Sequence, residues 1–371
     1  MKLIVDQEHF DRALASVARV IAPQVTMPIL GGIQITARAN AVTVTATDLF
    51  LTATATVPAE VTEPGTVVLP AALLTDLVHR IPTSQVAVTT DAAQKATIRY
   101  GSNYASLLSF GTEVLPEFDA QGENPVTWTL SAETLGTVAR QLLYACGKDD
   151  TRPLLRGVAL NWADGRAEAA TTDGNRLSLT QLPLVATAKR AVIMPAKALA
   201  EAARLNADAD VMVTLGQNFV RVATDAQTVT ARLLDGTYPD VQRVIPRDYE
   251  AEAVVNLDVI RGAVERIYLL ATLDRAGAIR VQLHPDHVVL SATAAEFGQA
   301  EETVPCTTSG AALDLSFNPH YLLDALKSFA GETVCLAFAG AQAPLQLQDP
   351  DTPGYAHYLL PLRQLSMQAV G

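Results

Sequence analysis

Two aspartates stand where carboxylate chemistry could be done. Asp48 lies in "ATDLFLTAT" (46–54) and Asp173 in "ATTDGNRLSL" (170–179), stretches that otherwise alternate apolar and polar residues as β-strands do. A carboxylate serves as general acid or base when a histidine or second carboxylate tunes it. Beside Asp173 stand only Asn175 and Arg176. An aspartate can also act locally, accepting hydrogen bonds from backbone amides just ahead of it and so holding a turn. Both aspartates are read as turn-and-sheet residues. A second candidate is "HPDH", His284–His287, which with nearby carboxylates could serve a metal-dependent hydrolase. Pro285 and Asp286 are ordinary turn residues, however, and the segment joins two alternating stretches. The three cysteines, Cys146, Cys306 and Cys335, show neither CxxC nor metal-type spacing, which predicts reduced thiols and no disulfide framework. There is no glycine-rich phosphate loop and no nucleophile elbow. The expectation is a protein with no catalytic residue, metal or cofactor.

The elements that carry the two aspartates repeat. Asp48 and Asp173 stand 125 residues apart, and the same offset brings Pro28 onto Pro153, Gly32 onto Gly157, Pro70 onto Pro195 and Gly111 onto Gly236. A fainter third copy places Pro319 of "LSFNPHYLLDAL" where "LPAALL" and "MPAKAL" have their prolines, at the start of an apolar-periodic helix. Three domains follow, at 1–122, 123–249 and 250–371. In each, a helix capped by Asp6, Ser131 or Asp258 precedes two strands around a turn at Asn40, Asp164-Gly165 or Pro285-Asp286. A second helix and further strands come next. The fold class is α+β, with two helices packed on antiparallel sheet in every copy.

The formal charge of −12 argues against an open basic face, although net charge does not say where the charges sit. No apolar run is long enough for a membrane span, and "MKLIVDQEHF" turns acidic where a secretory signal would stay apolar, so a cytoplasmic protein is expected. On a helical wheel, Phe10, Leu14, Val17 and Ile21 oppose Glu8, Arg12 and Arg19; Leu135, Val138 and Leu142 oppose Glu133, Thr137 and Arg140; Leu199 and Ala203 oppose Lys197, Glu201 and Arg204. Arg80, Arg261 with Arg266, and Lys327 fill matching positions on the other three helices. Any one such face is ordinarily just solvated. Six converging on one place would form a curved surface able to hold a polyanion through scattered phosphate contacts.

Three such units, with "TTDGNRLSLTQLPL", "LLDGTYPDVQRVIP" and "YLLPLRQL", resemble the bacterial DNA polymerase III beta subunit family, the sliding clamps, from end to end. The resemblance implies a ring-shaped head-to-tail homodimer around double-stranded DNA, encircled without sequence preference. Its inner helices would carry Arg12, Arg19, Arg80, Arg140, Lys197, Arg204, Arg261, Arg266 and Lys327 towards the duplex. It also implies a groove that tethers the replicative polymerase, the clamp loader and repair proteins through short peptides. Carried over by motif, that groove comprises Leu155, Gly157, Thr172, Gly174, Asn175, Arg176, Leu177, Pro239, Val244, Asn318, Tyr321, Tyr358, Leu360, Pro361, Leu362 and Arg363. At the dimer interface Leu107 is expected to meet Leu269 and Leu270, with Lys95 and Arg99 near Glu296, Glu301 or Glu302. The departures are Asn175, where the family commonly has histidine, and "SMQAVG" beyond Leu365; both predict an altered peptide preference. The loops "APQVTM" and "KDDTRPLL" stand where the family carries DNA contacts, and Asp149 and Asp150 would repel phosphate while Lys197 keeps its place. The rival readings are the hydrolase and a scaffold without DNA function.

Overall fold

The computed structural model describes residues 1–118, 125–163, 165–184, 189–205, 210–274 and 277–362. The chain opens with β1 (Lys2–Asp6), α1 (Gln7–Ala18), β2 (Gly32–Arg38), β3 (Ala41–Thr47), β4 (Leu51–Glu63), β5 (Gly65–Pro70), α2 (Ala71–His79), β6 (Gln85–Thr90), β7 (Lys95–Tyr100) and β8 (Asn103–Leu108). The same order returns as β9 (Val126–Ser131), α3 (Ala132–Leu142), β10 (Gly157–Ala163), β11 (Arg166–Thr172), β12 (Arg176–Leu182), β13 (Arg190–Pro195), α4 (Ala196–Ala202), β14 (Asp210–Leu215), β15 (Phe219–Ala223) and β16 (Gln227–Arg232). It returns again as β17 (Ala251–Asn256), α5 (Leu257–Ala271), β18 (Ile279–Leu283), β19 (His287–Ala294), β20 (Gly298–Gly310), β21 (Leu313–Phe317), α6 (Pro319–Ser328), β22 (Thr333–Phe338), β23 (Leu345–Gln348) and β24 (Tyr355–Leu359).

Local chemistry explains why each copy starts alike. Asp6 accepts a hydrogen bond from His9 N at 3.0 Å, Ser131 from Thr134 N at 3.1 Å and Asn256 from Val259 N at 3.0 Å, each satisfying an amide left orphaned at a helix start. The third cap is therefore Asn256 and not Asp258, which sits in the first turn of α5. Behind the first cap, α1 turns Phe10, Ala13, Leu14 and Val17 inward. Removing side chains such as Phe10 and Leu14 from water stabilises by about 1.5–3 kcal/mol each. Pro70 and Pro195 immediately precede α2 and α4, whereas Pro319 is the first residue of α6 behind the cap Asn318.

The chain divides into two compact units, 1–136 with 197–233, and 137–196 with 234–371. The first holds a twelve-stranded sheet in which β8-β7-β6-β1-β4-β16-β15-β14-β9 run side by side and β2, β3 and β5 branch from β4. The second holds another, ordered β13-β10-β11-β12-β24-β23-β22-β17-β20-β19-β18-β21. Each unit joins two copies of the repeat in one way. In the first, β16 pairs antiparallel with β4, Ala231 opposite Leu51 through Gln227 opposite Ala55. In the second, β24 pairs with β12, Leu359 opposite Arg176 through Tyr355 opposite Thr180. Leu51 and Arg176 stand 125 residues apart, as the two aspartates do, so the junctions share one register. The junction is not made a third time within the chain: β8 ends its sheet, and Gly298–Val304 of β20 pairs only with β19 among the described residues. No helix among the described residues is long and apolar enough to cross a membrane.

Candidate functional site

The turn between β11 and β12 is built by side chains of its own sequence. Asp173 Oδ1 accepts from Asn175 N at 2.9 Å and Arg176 N at 3.1 Å, while the Thr172 hydroxyl donates to the Arg176 carbonyl at 2.6 Å and accepts from Gly174 N at 3.1 Å. Gly174 takes φ +96°, which a side chain would strain. The β3–β4 turn repeats the construction: Asp48 Oδ1 accepts from Phe50 N at 3.0 Å and Leu51 N at 2.8 Å. Both aspartates are thus turn residues, as their sequence context predicts.

Arg176, first residue of β12, is buried yet fully engaged. Its guanidinium pairs with Asp173 at 3.0 Å and Asp324 of α6 at 2.9 Å, donates to the Tyr144 carbonyl, and lies over the rings of Tyr321 at 4.3 Å and Tyr144 at 5.4 Å. A buried guanidinium is tolerated only with such partners. Next along the strand, Leu177 packs with Ala159, Ala170, Val241 and Tyr358.

Above this cluster opens a groove of about 260 Å³. Of the residues expected there, Leu155, Thr172, Gly174, Asn175, Arg176, Leu177, Pro239, Val244, Tyr358 and Leu360 line it. Leucine, valine and proline walls with a few polar groups suit apolar peptide anchors. Gly157, Asn318, Tyr321, Pro361 and Leu362 are not among the lining residues. Gly157 is buried where a Cβ would lie 2.4 Å from Ile193, Asn318 caps α6, Tyr321 lies beneath Arg176, and Leu362 N donates to the Ser316 carbonyl at 2.7 Å. Arg363 lies outside the described residues. Arg152, Asp240, Val241 and Pro344 line the groove without having been anticipated. "YPDVQRV" contains two of them, and its short helix, with Asp240 accepting from Gln242 N, was the available signal.

Behind the groove, Tyr144 bonds Tyr355 and His357 Nδ1, each at 2.8 Å, and Ser328 at 3.3 Å. Burial, reinforced by the Arg176 charge, pushes the His357 pKa down to about 3, so the ring is neutral at pH 7. Burial pushes the Cys146 thiol up to about 12 and Cys335 to about 11, and all three cysteines are free, as expected. His284 and His287 stack at 4.6 Å across the turn between β18 and β19, and among the described residues no group of three or more His, Cys, Asp or Glu could hold a metal ion.

The nine outward cations are mostly tied to carboxylates. Arg12 pairs with Glu8, Arg80 with Asp76, Arg261 with Asp258, Arg266 with Glu302 and Lys327 with Glu265. Arg19 and Arg204 share Glu201, and Lys197 meets Asp48. Arg140 is exposed and has no ion pair among the described residues. The wheel placed Glu201 outward beside Arg204; in fact Glu201 is buried and α4 stops at Ala202, short of Arg204. Of the residues expected to join two copies, Leu269 is 69% exposed, while Leu107 and Leu270 are half-buried. Leu108, 75% exposed, projects to the face opposite Leu107. Arg99 lies over the Tyr104 ring, and Lys95, Glu296 and Glu301 are exposed. Glu302 is held below the ordinary carboxylate range by the Arg266 guanidinium of its own chain.

The N-terminal, central and C-terminal domains of the DNA polymerase III beta subunit match residues 1–119, 129–240 and 242–363 in turn. The chain belongs to the DNA polymerase III beta subunit family. It is 29% identical to the beta sliding clamp of Staphylococcus epidermidis and 28% to that of Bacillus subtilis, each over 98% of this chain and at least 99% of the relative. The crystal structure of the DNA polymerase sliding clamp from Bacillus subtilis superposes with a TM-score of 0.92 at 26% identity, covering 98% of this chain and 99% of that one. The beta sliding clamp of C. crescentus gives 0.89 at 28% identity, with the same coverage. The beta subunit architecture of three clamp domains, each with two helices on antiparallel sheet, is the one described above.

Proposed function

We propose that this beta subunit is the processivity factor of a replicative DNA polymerase. It is a non-catalytic sliding clamp whose homodimer encircles duplex DNA and tethers polymerase, clamp loader and repair proteins by their clamp-binding peptides. Such a protein works on chromosomal DNA in the cytoplasm. Its domains run 1–122, 123–249 and 250–371, following the repeat.

The observation that carries the reading is the junction made twice and left open once. β4 takes β16 and β12 takes β24 in one register, while the matching stretch of β20 and the matching strand β8 have no such partner among the described residues. Two copies arranged head to tail satisfy both edges, and a heterologous contact that closes into a ring leaves neither β8 nor this stretch of β20 open to further chains. Strand counting gives the register. Tyr104 faces Arg99 as Thr228 faces Ala223, and Gly298 begins β20 where Leu51 and Arg176 begin theirs. Leu107 then opposes Gly298 of the partner subunit, Ala105 opposes Ala300 of the partner subunit, and Tyr104 opposes Glu301 of the partner subunit. Leu107 thereby turns to the α5 side of that sheet, towards Leu269 and Leu270 of the partner subunit, and Arg99 comes near Glu301 of the partner subunit.

A ring holds DNA by topology and needs little attraction, which reconciles the net charge of −12 with DNA as substrate. The peptide site is the apolar groove around Leu155, Leu177, Val244 and Leu360, supported by its lining and volume. Retention after loading tests the whole reading. A clamp stays on nicked circular DNA and runs off when the circle is linearised; equal loss from both substrates would overturn it.

A further inference from the structure

Three cations of the candidate DNA surface meet two carboxylates at one place in the first unit. The Glu201 side chain, only 7% exposed, accepts from Arg19 Nε at 2.7 Å through one oxygen and from Arg204 at 2.8 Å through the other. One helical turn earlier, Lys197 Nζ donates to the Val20 carbonyl at 2.7 Å and to Asp48 Oδ2 at 3.0 Å. Asp48 has its remaining oxygen committed to the amides of Phe50 and Leu51. Three positive charges therefore face two negative ones, and every carboxylate oxygen is occupied.

Resting on the reading of this face as DNA-facing, we propose that Glu201 and Asp48 are positioning residues that set the strength of the DNA contact. They hold Arg19, Arg204 and Lys197 in place and withhold most of their charge from phosphate. Arg12, Arg80, Arg261 and Lys327 pair with carboxylates that are more exposed, and a phosphate can displace those with little rearrangement. Glu201 differs, because pulling an arginine from it leaves a desolvated carboxylate short of a partner. Asp48 differs too, because the turn fixes it in front of the ammonium. The consequence is a clamp whose grip depends weakly on salt and which slides without lingering.

Salt dependence reads this directly, since each cation that neutralises a phosphate adds about 0.9 to the slope of log K against log salt on duplex DNA. Binding of a short linear duplex would be followed between about 50 and 200 mM salt, the range over which such slopes separate. The wild-type slope should be shallow. Glu201→Gln releases two arginines and should steepen it by roughly one to two, with tighter binding at low salt. Asp48→Asn retains the oxygen that accepts from Phe50 and Leu51, so the turn survives even if Glu201→Gln fails to fold. It should steepen the slope by about one through Lys197. Adding Arg19→Gln to Glu201→Gln should give back part of the gain, which a general loosening of the fold would not. An unchanged or shallower slope in the folded variants overturns the proposal. Loss of wild-type retention on nicked circles would instead overturn the DNA reading beneath it.

Discussion

Arg19 and Tyr144 occupy the same place in successive copies, each the same distance past its N-cap, Asp6 or Ser131, yet they join their neighbours by different chemistry. Arg19 reaches Glu201 of α4 through an ion pair. Tyr144 reaches Ser328 of α6 and Tyr355 and His357 of β24 through hydrogen bonds. Counted from Asn256, the third position is Leu269, exposed and apolar. Charge and hydrogen bonding hold the junctions made within one chain. The junction proposed between chains is given to leucine, which loses no hydrogen bond when the ring opens.

Tyr144→Phe keeps the ring over Arg176 and deletes the hydroxyl. Ser328, Tyr355 and His357 each lose a partner in a buried setting, which costs about 1–3 kcal/mol. Urea unfolding should show that loss, while peptide affinity stays near wild type because the groove walls are intact.

His357 gives the fold a pH dependence of definite sign. Its pKa falls from 6.5 in the unfolded chain to about 3 in the folded one, so between these values the unfolded state binds the extra proton. The stability that the neutral ring contributes is complete above pH 6.5 and declines as the pH drops towards 3. At pH 5 the decline is on the order of 2 kcal/mol, from about 1.4 kcal/mol per unit. Unfolding free energies at pH 7 and pH 5 check it: His357→Gln should flatten the difference, and an equally steep variant would assign the dependence to other groups.

The sequence made some of this legible and hid the rest for physical reasons. The turns at Asp48 and Asp173 and the caps at Asp6 and Ser131 depend on bonds reaching two or three residues, so local pattern was enough. Asp258 reads as a cap in sequence because an acidic first turn and a capping residue look alike two positions apart. A helical wheel puts Glu201 on the solvent face because it assumes a helix that continues, and α4 stops at Ala202. Arg152 and Pro344 come to the groove from loops in different copies, and no spacing encodes that. The exchange of β16 onto β4 was equally silent, since alternation gives a strand its face but not its neighbour.

Leu177 and Leu360 should separate affinity from stability. Leu177 is buried against Val241 and Tyr358, so Leu177→Ala should lower both peptide affinity, by about 1–3 kcal/mol, and fold stability, by about 2–5 kcal/mol. Leu360 is 41% exposed on the groove rim, so Leu360→Ala should weaken the peptide by about 1–3 kcal/mol with little effect on unfolding. Titration of a fluorescent clamp-binding peptide, with urea unfolding alongside, measures both. Wild-type affinity in both variants would place the groove elsewhere.

The proposed closure of β8 on β20 predicts a register as well as a dimer. Leu269→Asp with Leu270→Asp puts two carboxylates where apolar side chains should be buried, and gel filtration should then show a monomer that still melts cooperatively. The register is tested separately with cysteines. Ala105 and Ala300 are both half-buried and turned to the inner side of their strands, and the pairing sets them opposite each other across two chains. Directly opposed residues in an antiparallel pair lie about 4.5–5.5 Å apart at Cα, within reach of a disulfide. Ala105→Cys with Ala300→Cys should therefore oxidise to a covalent dimer that stays on nicked circular DNA in high salt. Moving one cysteine by two residues, to Ala105→Cys with Glu302→Cys, keeps the face but widens the gap beyond about 7 Å and should cross-link poorly. Efficient cross-linking of the second pair and not the first would shift the register by two. Failure of both pairs in a protein that remains dimeric would move the interface away from these edges.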